Sequence, residues 1–235
     1  MKITSTNRKT IFNKYNRIIF KRFQMLHYET VDTNTLELLK KIQALSIFNE
    51  MRLVGGTSLA LQIGHRKSID IDLFGNLPVA YEYLIDELKT LGEVIPLKNS
   101  KNIHSLLIND IKVDIVNYEY KWLENKIIHE NIYLATIQDI AAMKLNAIIG
   151  RGSKKDFIDL FFILKHYSLS EILKFYDNKY QDGSKFLVLK SLAYFEDADK
   201  QEMPYMFSDV TWQTVKDNIK KAHAEYVLQN EGQGE

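Results

Sequence analysis

The sequence predicts a fold of the α+β (α/β) kind, in which a mixed sheet with flanking helices precedes a C-terminal helical region. First, residues 68–74 (SIDIDLF) alternate polar and apolar side chains, as a half-buried strand does. Second, three further apolar runs, at 93–97, 103–108 and 111–116, predict strands. The Asn-Asp pair between the last two runs is typical of a hairpin turn. Third, helical spacing of apolar residues replaces this pattern after about residue 134.

Helical segments surround the predicted strands. Residues 34–48 predict a helix that is capped by Thr33 or Asn34. The short apolar run at 52–54 leads into Gly55-Gly56 and a second helix that ends at Ile63. The remaining predicted helices span 79–91, 140–149, 154–166, 170–180, 184–195 and 211–228, and Thr136 with Asp139 resembles a capping box before the second of them.

The length of 235 residues suits one compact unit with an appended helical part. We predict four segments along the chain. They are a basic N-terminal arm or helix (1–28), an α/β domain (29–133), a helical domain (134–228) and a tail (229–235).

The net charge of +1 hides an asymmetry along the chain. Residues 1–28 contain seven lysines and arginines and no acidic residue, whereas the rest carries six more acidic than basic side chains. A basic arm of this kind is suited to binding a polyanion. Two other interpretations stay open: an amphipathic helix packed on the body, and sequence upstream of a start at Met25.

Composition excludes several classes of function. The chain has no cysteine, which excludes disulfides, zinc fingers, iron–sulfur clusters and thiol nucleophiles. No apolar stretch approaches the roughly 20 residues that a membrane-spanning helix needs. We therefore expect a cytoplasmic protein with no membrane partner.

Asp70 and Asp72 are the central candidates for chemistry. On a strand, side chains at i and i+2 point to one face, about 6.6 Å apart, while Ile69, Ile71 and Leu73 would face the core. Two like charges at this spacing repel by roughly 3 kcal/mol at an effective dielectric constant near 20. A divalent cation removes this repulsion, and carboxylate oxygens favour Mg²⁺ or Mn²⁺. The alternative is a solvent-facing strand with two harmless acids.

The residues around the acid pair favour the catalytic interpretation. Gly55 and Gly56 open a helix, where free backbone amides and the helix dipole favour a phosphate, and Ser58 can donate to a phosphate oxygen. Arg66 places a cation just before the acids, where it could instead neutralise them. Asp114 lies on another apolar strand, whose pairing with the first would bring three acids to one edge. That layout suits two-metal nucleotidyl transfer.

The block GGTSLALQIGHRKSIDIDLF (55–74) resembles the first motif of the polymerase-β-like nucleotidyltransferases. More closely, it is similar to the AbiEii/AbiGii abortive-infection toxin family, to which the MenT toxins are related. Later motifs follow in the family's order: Lys112-Val113-Asp114, DIAAMK (139–144) and RGSKKDFIDL (151–160). The similarity runs from about Leu53 to Leu164. It implies a nucleotidyltransferase fold.

The resemblance also implies site residues. The expected catalytic set is Asp70, Asp72, Asp114, Lys144 and Asp156, of which the first three are the expected metal ligands. The expected nucleotide-binding set is Gly55, Gly56, Thr57, Ser58, Arg66, Ser68 and Asp159. Structural alternatives stay open: Lys144 as a lysine at the edge of a buried helix, and Asp159 paired with Arg151 or Lys155. We expect His65 to be structural.

The implied activity is metal-dependent transfer of a nucleoside monophosphate from an NTP to an acceptor hydroxyl, with Mg²⁺ or Mn²⁺ as cofactor. By this resemblance the acceptor is RNA, at the 3′ end of tRNA, and the chain acts as the toxin of a toxin–antitoxin or abortive-infection system. A cognate antitoxin is expected, not necessarily in direct contact. Two alternatives are modification of a protein or small molecule, and a non-catalytic nucleotide-binding module on the same fold.

Overall fold

A mixed sheet of seven strands forms the centre of the structure, a computed structural model that describes residues 25–231. The strands are β1 (Arg52–Leu53), β2 (Ile71–Gly75), β3 (Val94–Asn99), β4 (Ile103–Ile108), β5 (Ile111–Asn117), β6 (Ile127–His129) and β7 (Ile132–Leu134). Their order across the sheet is β3-β4-β5-β2-β1-β7-β6. The arm predicted for residues 1–28 lies outside the described residues as far as position 24.

Helices cover the sheet and continue beyond it. They are α1 (Thr33–Ala44), α2 (Gly55–Ile63), α3 (Tyr81–Lys89), α4 (Ile137–Gly150), α5 (Lys154–Ile163), α6 (Leu169–Lys179), α7 (Lys185–Leu192), α8 (Glu196–Asp199) and α9 (Trp212–Glu231). Short 3₁₀ turns lie at Tyr28–Thr30 and Ser46–Phe48. Within residues 25–231, no helix is both long enough and apolar enough to cross a bilayer.

The parallel pairing of β2 with β5 brings two of the acids together. Asp72 lies opposite Asp114 in the register of this pair. On its other edge, β2 runs antiparallel to β1, which in turn runs parallel to β7. The expectation that the strand of Asp114 pairs with the strand of Asp72 is therefore confirmed.

Two hydrophobic cores meet at α2. One contains buried side chains between Leu26 and Leu134, including Leu61 of α2. The other contains side chains between Ala135 and Ile219, joined by Val54 and by Leu59 of α2. Because α2 presents one leucine to each core, its position is fixed from both sides. The domain boundary at 133/134 stays a prediction.

Local sequence signals located most elements. Asn109 and Asp110 both have positive φ values, 48° and 64°, as the turn of a two-residue hairpin requires. Helix α4 begins where the capping pair predicts, because the hydroxyl of Thr136 accepts from the backbone N–H of Asp139 at 3.3 Å. The sequence does not predict β6 and β7, which are three residues each and too short to show periodicity.

Several element boundaries differ from the predictions. Asp32 caps α1, since its carboxylate accepts from the N–H of Asn34 at 2.9 Å, and Thr33 is already helical. This helix ends at Ala44 and a 3₁₀ turn follows it. At the C-terminus, α9 continues to Glu231, so residues 229–231 of the expected tail are helical.

The acid strand also starts later than predicted. It begins at Ile71, so Asp70 lies just before the strand and not within it. Ile69 was expected to face the core but is 59% exposed, whereas Ile71 and Leu73 are fully buried as expected. The strict alternation therefore holds only from Ile71 onward.

A buried ion pair ties the segment after β5 to two helices. Lys179 Nζ of α6 lies 2.8 Å from Asp139 Oδ1 of α4, and both side chains are fully enclosed. The same ammonium donates to the carbonyl of Lys121, and the N–H of Leu123 donates to the Asp139 carboxylate. These bonds fix residues 121–123 against the helices.

Gly55 is required where α2 begins beside β2. Its φ of +68° is unfavourable for any side chain, and a Cβ atom there would collide with the Asp72 carboxylate. We expect Gly55→Ala to lower the free energy of unfolding by at least about 1–2 kcal/mol, measured by urea denaturation. Gly150→Ala is the matched control, because a Cβ at Gly150 meets nothing within 4 Å, and it should be neutral or stabilising. Equal effects of both substitutions would contradict this account.

Candidate active site

Two clefts meet at Asp72, Lys144 and Arg151, which line both. The acid cleft has a volume of about 680 Å³, and further lining residues include Gly56, Arg66, Ser68, Asp70, Asp156 and Tyr205. The aromatic cleft has a volume of about 310 Å³, and its further lining residues include Gly55, Phe74, Tyr118, Tyr120, Asn146, Ala147 and Tyr180. Together they form one concave surface between the sheet and the helices α4 and α5.

The start of α2 separates the two clefts. Gly55 lines the aromatic cleft and Gly56 lines the acid cleft. The N–H of Val54, which precedes the helix, donates to the Asp72 carbonyl at 2.9 Å and so fixes the helix start to β2. No side chain among the described residues caps this N-terminus. Its first amides and the positive end of the helix dipole are therefore available to an anion.

The surroundings of Asp72 oppose the ionisation of its carboxyl group. Burial raises its pKa to about 6, and the negative charges of Asp114 and Asp70 add to the effect, while Lys144 and Lys112 oppose it. Asp114 has its two oxygens engaged: Ser105 Oγ donates at 2.5 Å and Lys112 Nζ lies at 2.6 Å. Asp70 and Asp114 thus stand close enough to Asp72 to disfavour its charged form.

The chemistry of the donors fits a divalent cation at Asp70 and Asp72, because both carboxylates line one cleft and crowd negative charge there. The expected third ligand, Asp114, lies opposite Asp72 in the sheet and is held by Ser105 and Lys112. Asp114 lines neither cleft, and within residues 25–231 no three His, Asp or Glu side chains converge as a metal site. Two carboxylates are nevertheless enough for Mg²⁺ when substrate phosphates supply further oxygens.

Asp159 of α5 is the centre of a buried ionic network. Arg66 donates to it twice, Nε to Oδ1 at 2.7 Å and Nη2 to Oδ2 at 3.0 Å. Lys144 Nζ lies 2.5 Å from Oδ2. Burial alone would raise the pKa of Asp159, but Arg66 and Lys144 outweigh it and hold this pKa well below its ordinary value. The carboxylate is therefore ionised and fully enclosed.

His65 completes this network as a structural residue, as expected. Its Nε2 lies 2.7 Å from Asp159 Oδ1, and its ring packs against Phe162. Burial lowers the pKa of His65 although the Asp159 contact opposes it, so the neutral ring with its proton on Nε2 is the form that satisfies this bond. Nδ1 has no partner among the described residues.

Lys144 and Arg151 also engage Asp156. Lys144 Nζ lies 3.0 Å from Asp156 Oδ1, and Arg151 Nε lies 2.8 Å from Oδ2. Ser153 Oγ donates to the same carboxylate at 2.7 Å. Since 68% of the Arg151 side chain is exposed, Arg151 can turn toward a ligand in either cleft, whereas Lys144 is buried.

The aromatic cleft is built from residues that are distant in sequence. The hydroxyls of Tyr118 and Tyr180 are hydrogen-bonded at 2.8 Å. The ring of Tyr120 meets Tyr180 edge to face at 4.7 Å and lies 5.4 Å from Tyr118. Phe74 packs on Tyr118 from the sheet side, and Asn146 is exposed on α4 across the cleft.

The structure places most expected site residues at the clefts, but Thr57, Ser58 and Asp159, besides Asp114, line neither cleft. Ser58 is fully buried and its hydroxyl accepts from Gln62 Nε2 at 3.1 Å, so it faces the core and not a phosphate. Thr57 is buried too, and it binds Ser68 Oγ at 2.8 Å and the Asp70 carbonyl. Asp159 is enclosed by its cations and cannot contact a nucleotide; its partners are Arg66, His65 and Lys144, not Arg151 or Lys155.

Sequence reasoning missed the residues that join and line the second cleft. Arg151 is absent from the expected site set, although its position five residues before Asp156 could have indicated a shared role. Tyr118, Tyr180 and Asn146 carry no local signal, because the first two are brought together only by the fold. The tyrosines look like packing residues in the sequence alone.

Residues 37–228 match the sequence profile of the nucleotidyl transferase AbiEii toxin of type IV toxin–antitoxin systems. An uncharacterized protein of Aquifex aeolicus is 37% identical over 197 residues, which cover 81% of this chain and 95% of that protein. The chain belongs to the AbiEii nucleotidyltransferase toxin family. It is therefore a nucleotidyltransferase, and the resemblance of its motifs to this family is confirmed.

Solved structures agree with this assignment at the level of the fold. JHP933 of Helicobacter pylori superposes with a TM-score of 0.50 at 16% identity and covers 86% of this chain and 97% of its own. The nucleotidyltransferase toxin MenT4 of Mycobacterium tuberculosis superposes with a TM-score of 0.53 at 15% identity, covering 80% of this chain and 79% of its own. The predicted fold, a mixed sheet with flanking helices, is confirmed. AbiEii nucleotidyltransferases use an NTP and generally a divalent metal.

The Asp159 network predicts a large loss of stability when its anion is removed. We expect Asp159→Asn to lower the free energy of unfolding by about 3–5 kcal/mol, because Arg66 would stay buried without its anion and Lys144 would keep only Asp156. Asp177→Asn is the control, since Asp177 pairs with Lys185 at the surface, and it should cost at most about 1 kcal/mol. Urea denaturation at neutral pH measures both.

The same network predicts the sign of a pH effect. Because the pKa of Asp159 is below its unfolded value of 3.8, its contribution to stability is full above that value and is lost as the pH falls below it. The difference in unfolding free energy between wild type and Asp159→Asn should therefore shrink as the pH is lowered below about 4. A difference that grows on acidification would refute the assignment of Asp159 as an ionised anchor.

Proposed function

We propose that this AbiEii chain is a metal-dependent toxin enzyme that transfers a nucleoside monophosphate from an NTP to an RNA hydroxyl, at the 3′ end of tRNA. The observation that carries the proposal is the acid cleft. It combines Asp70 and Asp72 with the start of α2 and with the cationic side chains of Lys144 and Arg151. Carboxylates for a cation next to donors for a phosphate are the components that nucleotidyl transfer requires.

The two clefts suit the two halves of an NTP. The triphosphate lies in the acid cleft, against Gly56 and the first amides of α2, within reach of Lys144 and Arg151. The base lies in the aromatic cleft, where Tyr118 and Tyr120 offer ring surfaces and Asn146 offers an amide at the rim. In this arrangement the α-phosphate would lie where the two clefts meet, beside Asp72, Lys144 and Arg151.

Asp70 and Asp72 hold the divalent cation in this proposal. When bound, the ion lowers the negative charge of the triphosphate and stabilises the attacking and leaving oxygens. Asp114 does not ligate the ion; its charge raises the pKa of Asp72 and so increases the demand for a cation beside it. Lys112 partly neutralises Asp114 at 2.6 Å.

The reaction itself exchanges a phosphoanhydride bond for a phosphodiester bond. The acceptor hydroxyl oxygen forms a bond to the α-phosphorus, the bond from that phosphorus to the bridging oxygen of the β-phosphate breaks, and pyrophosphate leaves. The hydroxyl proton passes to solvent. Lys144, Arg151 and the α2 amides stabilise the charge that moves onto the leaving pyrophosphate, so this chain contributes mainly positioning and electrostatics.

Arg66 acts through Asp159 in this scheme. Its guanidinium donates to that carboxylate through Nε and Nη2, which form one edge, and Nη1 donates to the Lys67 carbonyl at 3.0 Å. A Cβ at Gly56 would collide with this guanidinium. Arg66 therefore supports the glycine start of α2 and adds positive potential to the cleft floor. A cognate antitoxin would limit the resulting toxicity, with or without direct binding.

Asp70→Asn tests the metal assignment. We expect it to reduce label transfer from an [α-³²P]NTP to total RNA by at least about 10³-fold, because one of two cation ligands loses its charge. The free energy of unfolding should be unchanged or higher, since like-charge repulsion with Asp72 is relieved. Asp86→Asn is the control, because Asp86 is an exposed residue of α3 that pairs with Lys89 at 3.6 Å. Transfer by Asp70→Asn at the wild-type rate would refute the assignment, and label recovered in protein or small molecules would refute the RNA acceptor.

Ala147→Phe tests the placement of the base. Ala147 lines the aromatic cleft on α4, so a phenyl group there would occupy the space of a base. We expect NTP affinity, measured by isothermal titration calorimetry with Ca²⁺ as a non-catalytic cation, to fall at least about tenfold, or about 1.4 kcal/mol. Binding of inorganic tripolyphosphate to the same variant is the control and should be unchanged, since it uses only the acid cleft. A parallel loss for both ligands would contradict the division into two subsites.

A further inference from the structure

A short segment between α8 and α9 forms part of the wall of the acid cleft. Residues 201–207 contribute Gln201, Glu202, Met203, Pro204 and Tyr205 to the lining of that cleft. We refer to this segment as the strap. It belongs to none of the motifs identified in the sequence, and nothing in the nucleotide placement above uses it.

The strap is held rigidly at both ends. At one end, the side chain of Gln201 accepts from the N–H of Lys154 at 3.0 Å, and Lys154 Nζ donates to the Gln201 carbonyl. At the other end, the N–H of Lys67 donates to the Tyr205 carbonyl at 2.8 Å, and the N–H of Phe207 donates to the His65 carbonyl at 3.1 Å. The strap is thus paired with the segment that leads directly to Asp70.

This pairing determines which side chains of the strap point toward the core and which point toward solvent. Arg66 and Met206 form an antiparallel bridge, and Met206 packs on the helical core. Because successive residues of an extended segment point to opposite sides, Tyr205 and Phe207 both point outward. Their rings contact edge to face at 5.3 Å, yet Tyr205 is 66% exposed and Phe207 is 42% exposed. Two large rings are therefore exposed to solvent, and one of them, Tyr205, lines the acid cleft.

Positive charge accompanies these rings. Lys67 and Lys155 are exposed, line the acid cleft, and form no ion pair with any side chain of residues 25–231. Arg151 lies on the same wall. Glu202 adds one negative charge to the strap. An exposed aromatic surface with cations beside it is how proteins bind single-stranded nucleic acid, the rings by stacking on bases and the cations by pairing with phosphates.

We propose that the strap is the platform for the acceptor: a terminal base of single-stranded RNA stacks on Tyr205, with Lys67 and Lys155 on the backbone phosphates, so that the 3′-hydroxyl reaches the α-phosphate near Asp70. This inference rests on the proposed function and adds the acceptor site to it. Because the strap is paired with the segment that leads to Asp70, an RNA end stacked on Tyr205 would lie beside the acids of the cleft. A protein acceptor would not require ring faces that are open to a base.

The test measures RNA binding without nucleotide, so it does not depend on catalysis. The probe is a short 5′-fluorescein-labelled single-stranded RNA with a free 3′-hydroxyl, titrated with the full chain and followed by fluorescence anisotropy. We expect Tyr205→Ala to weaken binding about tenfold, and Tyr205→Phe, which keeps the ring, to stay within about twofold of wild type. Tyr83→Ala is the matched control, because Tyr83 is a 51% exposed tyrosine of α3, which belongs to the other core. It should leave binding unchanged.

A second readout separates this role from a structural one. In the transfer assay, Tyr205→Ala should raise KM for RNA about tenfold and leave kcat within about twofold, while the NTP-induced increase in Tm stays at the wild-type value. RNA binding that is equal in wild type and Tyr205→Ala, or absent from wild type, would overturn the platform. Transfer that persists alongside such a result would leave the proposed function standing. Absence of transfer together with Tyr205-dependent RNA binding would support the platform and overturn the proposed function.

Discussion

The structure of the site depends on one buried carboxylate, that of Asp159. Its two oxygens bind Arg66 from the segment before β2 and Lys144 from α4. These ion pairs join the sheet to the helical region at the base of the acid cleft. Such a group is costly to bury unless its partners are complete, and here both cations and His65 are within hydrogen-bonding distance. The network therefore constrains where α4 and α5 can lie relative to the start of α2, and the acid cleft is the space that this constraint leaves open.

The same network determines which charges remain for chemistry. Asp156 and Asp159 engage Lys144, Arg151 and Arg66, and Asp114 engages Lys112. Within residues 25–231, Asp70 and Asp72 have no ion-pair partner, although both line the cleft. Burial and the neighbouring acids raise the pKa of Asp72. The described residues therefore do not neutralise the negative charge at these two acids. A cation that binds together with a triphosphate would neutralise this negative charge, so nucleotide binding and metal binding are linked at the same acids.

Much of this fold could be predicted from local patterns, because turns, caps and strand alternation depend on neighbouring residues. The positive φ values at Asn109 and Asp110 are one example, and the cap at Thr136 is another. The pairing of Asp72 with Asp114 was also predictable, since two apolar strands that each carry an acid on one face have few other partners. Family motifs located the remaining catalytic candidates.

What could not be predicted depends on long-range packing. Whether Ser58 faces a phosphate or the core is decided by the rotation of α2 between two cores, which its sequence alone does not specify. Asp159 meets Arg66 across 93 residues, and Tyr118 meets Tyr180 across 62, so neither the anchor nor the aromatic cleft has a local signature. Before β2 begins at Ile71, Arg66 forms a bridge with Met206 and Ser68 forms one with Val31, so this segment pairs with residues that are distant in sequence.

The most direct test of the account is a crystal structure of the chain with Mn²⁺ and an NTP analogue that cannot be cleaved between its α- and β-phosphates, with Mn²⁺ located by its anomalous scattering. The account predicts an anomalous peak within bonding distance of Asp70 and Asp72, with the triphosphate against Gly56 and the base between Tyr118 and Asn146. A Mn²⁺ ion and triphosphate bound elsewhere, with these acids free of metal, would contradict it.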